Sequence, residues 1–316
     1  MARQTRIALL LVLALVAAAC GGSDESTGPE PTAIPDPGPT ATTAPVVTTP
    51  PVTAATATPS AEDATSEPTV EPTAAPAARI VNVYWLREAA LAAGGRSVAT
   101  SATATAAIEA LLEGPDPAEQ ALGMESALPS GVELLGISIS DGTAIVDLSP
   151  EFESVSFGTF GELSMVAQVV FTLTQFPTVD TVDIRIGGEE RDVILSHGLE
   201  ARGLTRSGFY DAVAPGIVVE RPIPGEQMSS PFTVSGFSRT FESNVQWELT
   251  LPAGETVVAS GFTTAQQPDV GVHGPFELTV GGLGGATGDA LLTVFEESAR
   301  DGSRVNVYEV PVTVTG

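Results

Sequence analysis

From residue 79 onward, the apolar positions follow two periods in turn. In RIVNVYWL, Val81, Val83 and Trp85 recur at every second residue, which predicts a strand. A break follows at Gly94-Gly95. In TSATATAAIEALLEGP, Ile108, Leu111 and Leu112 share one helical face. A Ser or Thr stands ready to cap the start, and Gly114-Pro115 ends the helix. VELLGISISDGTAIVDLS reads as a hairpin. Leu135, Ile137 and Ile139 alternate before the turn, Ala144, Val146 and Leu148 alternate after it, and Asp141-Gly142 supplies the positive φ of a tight connection. GELSMVAQVVFTLTQFP predicts a second helix, apolar around much of its circumference and stopped by Pro177. Val182, Ile184 and Ile186 in VDTVDIRIGG predict a closing strand. The order β-α-β-β-α-β describes an α+β domain with its helices packed on one face of a small sheet.

From about Ile217 the helical period disappears. NVQWELTL sets Val245, Trp247, Leu249 and Leu251 on one face and Gln246, Glu248 and Thr250 on the other. PFTVSGF, ETVVASGF, PFELTV, ALLTVFEE and VNVYEVPVTV follow, separated by Gly, Pro, Asp and Ser. Short alternating strands at this spacing predict an antiparallel, immunoglobulin-like β-sandwich, here with no cysteine pair to bridge its sheets.

Residues 21–78 are of another kind: Pro, Thr and Ala with scattered acids and no aromatic residue. Such a segment cannot bury enough surface to offset its ordering entropy, and its prolines favour extended polyproline II. It is expected to be a disordered stalk, with Thr and Ser able to accept O-glycans. Before it, Arg3 and Arg6 precede the apolar run Ile7–Val16, and the small residues Ala17, Ala18 and Ala19 lead to Cys20, the sole cysteine. That layout is a secretory signal peptide over residues 1–19. The run from Ile7 to Ala19 falls short of the roughly 20 residues a helix needs to cross a bilayer. The stretch resembles a bacterial lipoprotein lipobox, with Ala17 where Leu is usual, and the resemblance implies that Cys20 is lipidated. Cleavage by an ordinary signal peptidase after an A-x-A site is the alternative. A lipidated Cys20 places the protein outside the cytoplasm, anchored to the cell membrane by its acyl chains, whose buried methylenes contribute about 0.8 kcal/mol each.

Charge narrows the partners. Thirteen basic residues, all Arg, face 39 acidic ones, for a net charge of −26. Nucleic-acid binding is excluded, since phosphate contacts need clustered cations. An electrostatic grip on anionic lipid is excluded as well, which leaves the acyl group as the anchor.

The polar residues suggest little chemistry. The two histidines, His197 in LSHGLE and His273 in GVHGPF, sit in turn-like contexts and are expected in surface loops. No G-x-S-x-G elbow occurs. GGLGGATGD lies between strands, opens no helix and has no Lys, so it reads as a strand connection rather than a phosphate cradle. Glu189, Glu190 and Asp192 in GGEERD point apart on a turn and are expected to be solvated. No catalytic residue, metal ligand or cofactor site is assigned. Asp147 in VDLS lies on the strand face opposite Val146 and Leu148. Trp85 and Trp247 are expected in the core; exposed aromatics on the sandwich would instead favour carbohydrate binding.

Two stretches carry a family likeness. AIEALLEGP, SALPSGVELLGISISDGTAIVDLS, QVVFTLTQFPTVDTVDIRIGG and GLTRSGFYD make residues 79–212 resemble the GerM-type (GerMN) domain of sporulation and germination lipoproteins. IVVERPIPGEQMSSPFTVSGFSRTFESNVQWEL, GPFELTV and ESARDGSRVNVYEVPVTV make residues 217–314 resemble the immunoglobulin-like domain of bacterial spore germination proteins; the second domain is taken as 213–316. The resemblance implies a non-catalytic envelope module that binds a protein partner as a scaffold, and it implies a local hydrogen bond for Asp147 at the strand end, with Ser149 as partner. Homotypic packing of the α+β domain is an analogy with other small sheet-and-helix modules. A peptidoglycan- or carbohydrate-binding module is the alternative, and a hydrolase would need a cleft holding a His and two carboxylates.

Overall fold

The computed structural model describes residues 78–99, 101–154 and 157–315. The expected signal peptide, Cys20 and nearly all of the stalk lie outside them. The chain enters through strand β1 (Ala78–Arg87), turns at Glu88-Ala89 and returns as β2 (Ala90–Ala99), antiparallel, with Trp85 opposite Ala92. The alternation rule misses β2 because ALAAGGRSVA has almost no β-branched residues and holds the apparent break Gly94-Gly95. Those glycines admit close neighbours instead. A Cβ at Gly94 would lie 2.0 Å from Glu119 Oε1 and 2.6 Å from Trp85 Nε1, and one at Gly95 would lie 2.4 Å from Ile223 Cδ1.

Helix α1 (Thr103–Glu113) begins after Ala102, which is left-handed and makes no side-chain cap, so the expected Ser or Thr cap is not used; Gly114, at φ 90°, ends the helix as expected. A short α2 (Pro117–Ala121) follows. Its D-P-A-E start is a complete capping box: Asp116 accepts from the Ala118 and Glu119 N–H groups, and Glu119 accepts from Asp116 N–H.

The predicted hairpin forms as β3 (Leu134–Ser140) and β4 (Thr143–Leu148), joined by Asp141 at φ 50° and Gly142 at φ 79°. Helix α3 (Thr159–Leu173) then crosses over to β5 (Thr181–Ile186), which pairs with β4 in parallel, and β6 (Glu189–Glu190) completes the order β3-β4-β5-β6. A two-residue hairpin, β7 (Val193–Ile194) with β8 (Leu199–Glu200), and the short helix α4 (Tyr210–Val213) close the domain. The expected β-α-β-β-α-β order is therefore present with β2 inserted, and β1 pairs with β2 rather than joining the four-stranded sheet.

The alternating residues of β4 and β5 (Ala144, Val146, Leu148, Val182, Ile184, Ile186) are buried against the helices. On β3 the expected inward set fails. A register shift between Leu134 and Gly136 turns Leu135 outward, and Ile139 lies at the open margin; they are 50% and 39% exposed.

From Ser164 to Leu173, helix α3 is buried on all sides, polar residues included, because it also contacts β1, α1 and α4. Its polar residues close the side of β1 that β2 leaves free. Gln168 Nε2 donates to Tyr84 O at 2.7 Å and Thr172 Oγ1 accepts from Tyr84 N at 3.4 Å. Just beyond the helix, Gln175 accepts from Asn82 N and donates to Asn82 O, each at 2.7 Å. Side chains thus stand in for a neighbouring strand.

The second domain is a sandwich of eight strands: β9 (Ile217–Arg221), β10 (Gln227–Ser229), β11 (Phe232–Ser238), β12 (Asn244–Thr250), β13 (Val257–Thr264), β14 (Gly274–Val280), β15 (Gly288–Glu297) and β16 (Arg304–Thr315). Five strands pair in the order β10-β16-β15-β12-β13 and three in the order β14-β11-β9, all antiparallel except the short β10–β16 pair. Val245, Trp247 and Leu249 face the core, as their alternation predicts. Residues Gly281–Thr287 of the glycine-rich segment connect β14 to β15. Among the described residues, no helix is long and apolar enough to cross a membrane.

Candidate binding surfaces and the domain junction

The two domains belong to one compact unit, and their junction holds the most organised polar chemistry among the described residues. Arg206, in a 3₁₀ turn before α4, spends its whole guanidinium there. Nε donates to Thr174 Oγ1 (2.8 Å), Nη1 to Glu220 Oε1 on β9 (2.8 Å), and Nη2 to Tyr84 Oη and Phe171 O (both 3.2 Å). Tyr84 Oη donates to the same Glu220 oxygen. The guanidinium carbon also lies 5.1 Å from the Phe171 ring centroid and 5.8 Å from that of Phe237 on β11. Burial opposes the charge on Arg206, but Tyr84 and Glu220 outweigh it and keep the group protonated. Burial pushes the Tyr84 hydroxyl well above its ordinary range; Arg206 opposes that shift and Glu220 reinforces it. Around this hub, Arg221 Nη2 donates to Ile80 O (2.7 Å) and Ala93 N–H donates to Tyr308 Oη (3.1 Å).

His273 belongs to the same junction, which corrects the expectation of a surface loop. It is buried and stacks on Tyr210 of the first domain, with ring centroids 4.4 Å apart at an interplanar angle of 28°. Nε2–H donates to Pro215 O at 2.9 Å, so the neutral ring carries its proton on Nε2 and leaves Nδ1 buried without a partner. Burial lowers the imidazole pKa; the Pro215 bond and Asp211 work against that shift, and Arg239 adds to it.

His197 lies in an exposed turn, as expected, but it meets a buried carboxylate that sequence gave no reason to single out. Glu162, in the first turn of α3, accepts from Ser196 Oγ–H and from the backbone N–H of Ser196 (3.3 Å) and His197 (3.0 Å), and its Oε2 lies 3.0 Å from His197 Nδ1. Burial raises the Glu162 pKa, and the hydrogen bonds from Ser196 and His197 more than reverse this, leaving it below the usual carboxylate value. Ser, His and Glu in contact invite comparison with a hydrolytic triad. The geometry differs: Ser196 Oγ, at 3.2 Å, and Glu162 both meet the same ring nitrogen, Nδ1. A relay needs serine and acid on opposite ring nitrogens. The cluster instead fastens the 195–198 turn onto α3.

The remaining candidates separate. Glu189, Glu190 and Asp192 are exposed; Glu190 pairs with Arg185, and Glu189 pairs with Arg191 at 3.2 Å. Among the described residues, no group of three or more His, Cys, Asp or Glu is placed to hold a metal ion. Asp147 Oδ1 accepts from Gly188 N–H at 2.9 Å, tying β4 to the β5–β6 turn, whereas Ser149 Oγ accepts from Glu133 N–H at 3.0 Å; the expected Asp147–Ser149 bond is replaced by these two. Trp85 and Trp247 are buried, while Phe241 and Phe262 of the sandwich are 58% and 68% exposed. Cys20 lies outside the described residues.

Comparison with known proteins follows the domain division. Residues 72–192 match the family described as Germane, sporulation and spore germination. Residues 216–303 match the family described as Gmad2, immunoglobulin-like domain of bacterial spore germination. The chain is 37% identical over 93 residues to the spore germination protein GerM of Bacillus subtilis, a stretch covering 29% of this chain and 25% of that protein. It thus spans about a quarter of the length of the curated relative it matches. Among solved structures, the first GerMN domain of Bacillus subtilis GerM is 30% identical, covering 40% of this chain and 98% of that one with a TM-score of 0.35. The tandem GerMN domains of the same protein are 20% identical, covering 75% and 61% with a TM-score of 0.36.

Proposed function

We propose that this chain, which carries a Germane-type domain followed by a Gmad2-type immunoglobulin-like domain, is a non-catalytic, lipid-anchored scaffold of the cell envelope. Cys20 carries the acyl chains, residues 21–78 act as spacer, and the two domains are held out as a single body for protein contacts. The observation that supports this most is the Arg206–Tyr84–Glu220 junction. A flexible tandem would not place a guanidinium with three partners in its own domain and one in the next. One rigid body at the end of a long tether suits a part that must hold partners in fixed relation. A tie to spore formation or germination comes to this chain through the two family matches.

Membrane fractionation of producing cells, with an alkyne fatty acid as label, tests the reading. The wild type is expected in the membrane fraction and labelled, with Cys20→Ala released and unlabelled. Unlabelled wild type in the soluble fraction would sink the anchored scaffold.

A second reading, binding to peptidoglycan or another glycan, is favoured by the exposed rings of Phe241 and Phe262, which lie near Gln246. Sedimentation with purified cell wall separates the readings. Retention lost in Phe262→Ala selects glycan binding, and no retention selects the protein scaffold.

A further inference from the structure

The first domain closes its strand edges with care. The free side of β1 is bonded by Gln168, Thr172 and Gln175. The free side of β5 is met by the segment Ala201–Leu204, through Ile184 N–H to Ala201 O (2.7 Å) and the reciprocal Val182–Leu204 pair (2.9 and 3.0 Å). Beside β2, Ala93 N–H finds Tyr308 Oη. Strand β3 differs. It is the edge of its sheet, and among the described residues nothing bonds to its outer side.

The hairpin geometry identifies the open groups. A two-residue turn makes Ser140 and Thr143 the closing hydrogen-bonded pair, so pairs alternate from there. Ile139, opposite Ala144, and Ile137, opposite Val146, fall at non-hydrogen-bonded positions, and their N–H and C=O groups point away from β4.

The sequence of this edge is unusual as well. LLGISIS has no charge and no proline, the ordinary protections of an exposed edge, in a chain of net charge −26. Leu135 and Ile139 add exposed apolar surface. Acids stand at either end, Glu133 before the strand and Asp141 after it, both exposed. In an antiparallel self-pairing centred on Ile137, Glu133 of one copy would meet Asp141 of the other, which disfavours a second copy as occupant.

We propose that the outer side of β3 is a strand-acceptor site, taking an extended partner segment that is apolar at alternate positions and basic at its ends. The segment adds to the β3-β4-β5-β6 sheet by backbone bonds to Ile137 and Ile139, packs apolar side chains beside Leu135 and Ile139, and meets Glu133 and Asp141 with its basic ends. The proposal rests on the interaction role above, and names its surface and the chemistry of its partner.

The test uses the full chain, purified in detergent, and a nine-residue peptide of alternating Val and Thr with a Lys at each end. Binding is read by fluorescence anisotropy, and the site by amide hydrogen exchange in NMR. The peptide is expected to bind and to slow exchange at Ile137 and Ile139. A version with Glu ends is expected to bind about tenfold more weakly, the effect of two exposed charge pairs turned from attraction to repulsion. Ile139→Pro removes an outward donor while sparing the β4 ladder, and Ile139→Lys sets a cation at the edge; each is expected to abolish the slowing. Binding that leaves Ile137 and Ile139 unprotected, or that survives both substitutions, overturns the proposal. So does a concentration-dependent dimer of the unliganded chain that Ile139→Lys dissolves.

Photo-crosslinking in producing cells, from a reactive residue at Ile139 or at Phe262, distinguishes this inference from the function it rests on. Crosslinks to protein from Phe262 alone overturn the edge site and leave the scaffold standing. Crosslinks from neither position count against both.

Discussion

Arg206 and Glu220 stand on opposite sides of the domain junction, with Arg206 Nη1 2.8 Å from Glu220 Oε1 and the Tyr84 hydroxyl bonded to the same carboxylate oxygen. Each keeps only about a fifth of its side chain in contact with solvent, 19% and 21%. Removing one partner strands the other. Arg206→Ala is therefore expected to cost about 3 kcal/mol, the lower end of what breaking a buried pair costs. Urea unfolding followed by tryptophan emission checks it, since Trp85 reports on the first domain and Trp247 on the second. The wild type is expected to unfold in one transition and Arg206→Ala in two. Arg206→Lys keeps the charge but cannot serve four acceptors with one ammonium, so it is expected to fall between them.

The Tyr210–His273 stack makes the junction sensitive to acid. In the folded protein the His273 pKa lies below its ordinary 6.5. The folded state then binds fewer protons than the unfolded one in the interval between the two values, so stability rises with pH there. The contribution is complete above about pH 6.5 and is lost as pH falls through the lowered value. Physically, protonation would place a donor on Nδ1 where no acceptor waits, beside an Arg239–Asp211 pair. Melting temperatures between pH 8 and pH 5 are expected to fall on acidification, and His273→Phe, which keeps the stacking surface, is expected to flatten the part of that slope below about pH 6.5. An unchanged slope in His273→Phe would exclude this residue as the source.

Glu162 sets a second, more acidic limit. Its carboxyl is held below the usual 4.5, so its contribution is present above that value and disappears as pH falls through the lowered one. Glu162→Ala leaves the N–H groups of Ser196 and His197 without their acceptor and is expected to cost about 3 kcal/mol in urea denaturation. Hydrogen exchange should rise first in residues 195–198, the turn this carboxylate fastens.

Two glycines make a paired test of the packing. A Cβ at Gly236 on β11 would lie 2.0 Å from Val218 O, a backbone atom that cannot turn aside, where β11 meets β9 across an irregular register. Gly236→Ala is expected to destabilise by about 3 kcal/mol, at the upper end of ordinary overpacking. Gly136 in β3 has nothing within 4 Å of such a Cβ and no positive φ, so Gly136→Ala is expected to stay within about 0.5 kcal/mol of the wild type. Thermal melts of the two variants check both.

Period and punctuation in the chain by themselves determined most of the architecture: the helices at Ile108–Leu112 and in GELSMVAQVVFTLTQFP, the Asp141-Gly142 hairpin, the closing strand at Val182–Ile186, and the sandwich with Trp247 inside. These are local signals, written in side-chain spacing and turn residues. The capping box at Asp116-Glu119 was equally local, readable in D-P-A-E. Tertiary structure decided what depends on residues far apart in the chain. Gly94-Gly95 reads as a break until Glu119, Trp85 and Ile223 occupy the space that side chains would fill. Gln168, Thr172 and Gln175 look like ordinary polar positions until β1 needs partners. His273 resembles a loop histidine until Tyr210 and Pro215 close over it. Burial and hydrogen-bond pairing at a junction are properties of distant groups brought together, and no window along the chain contains both halves.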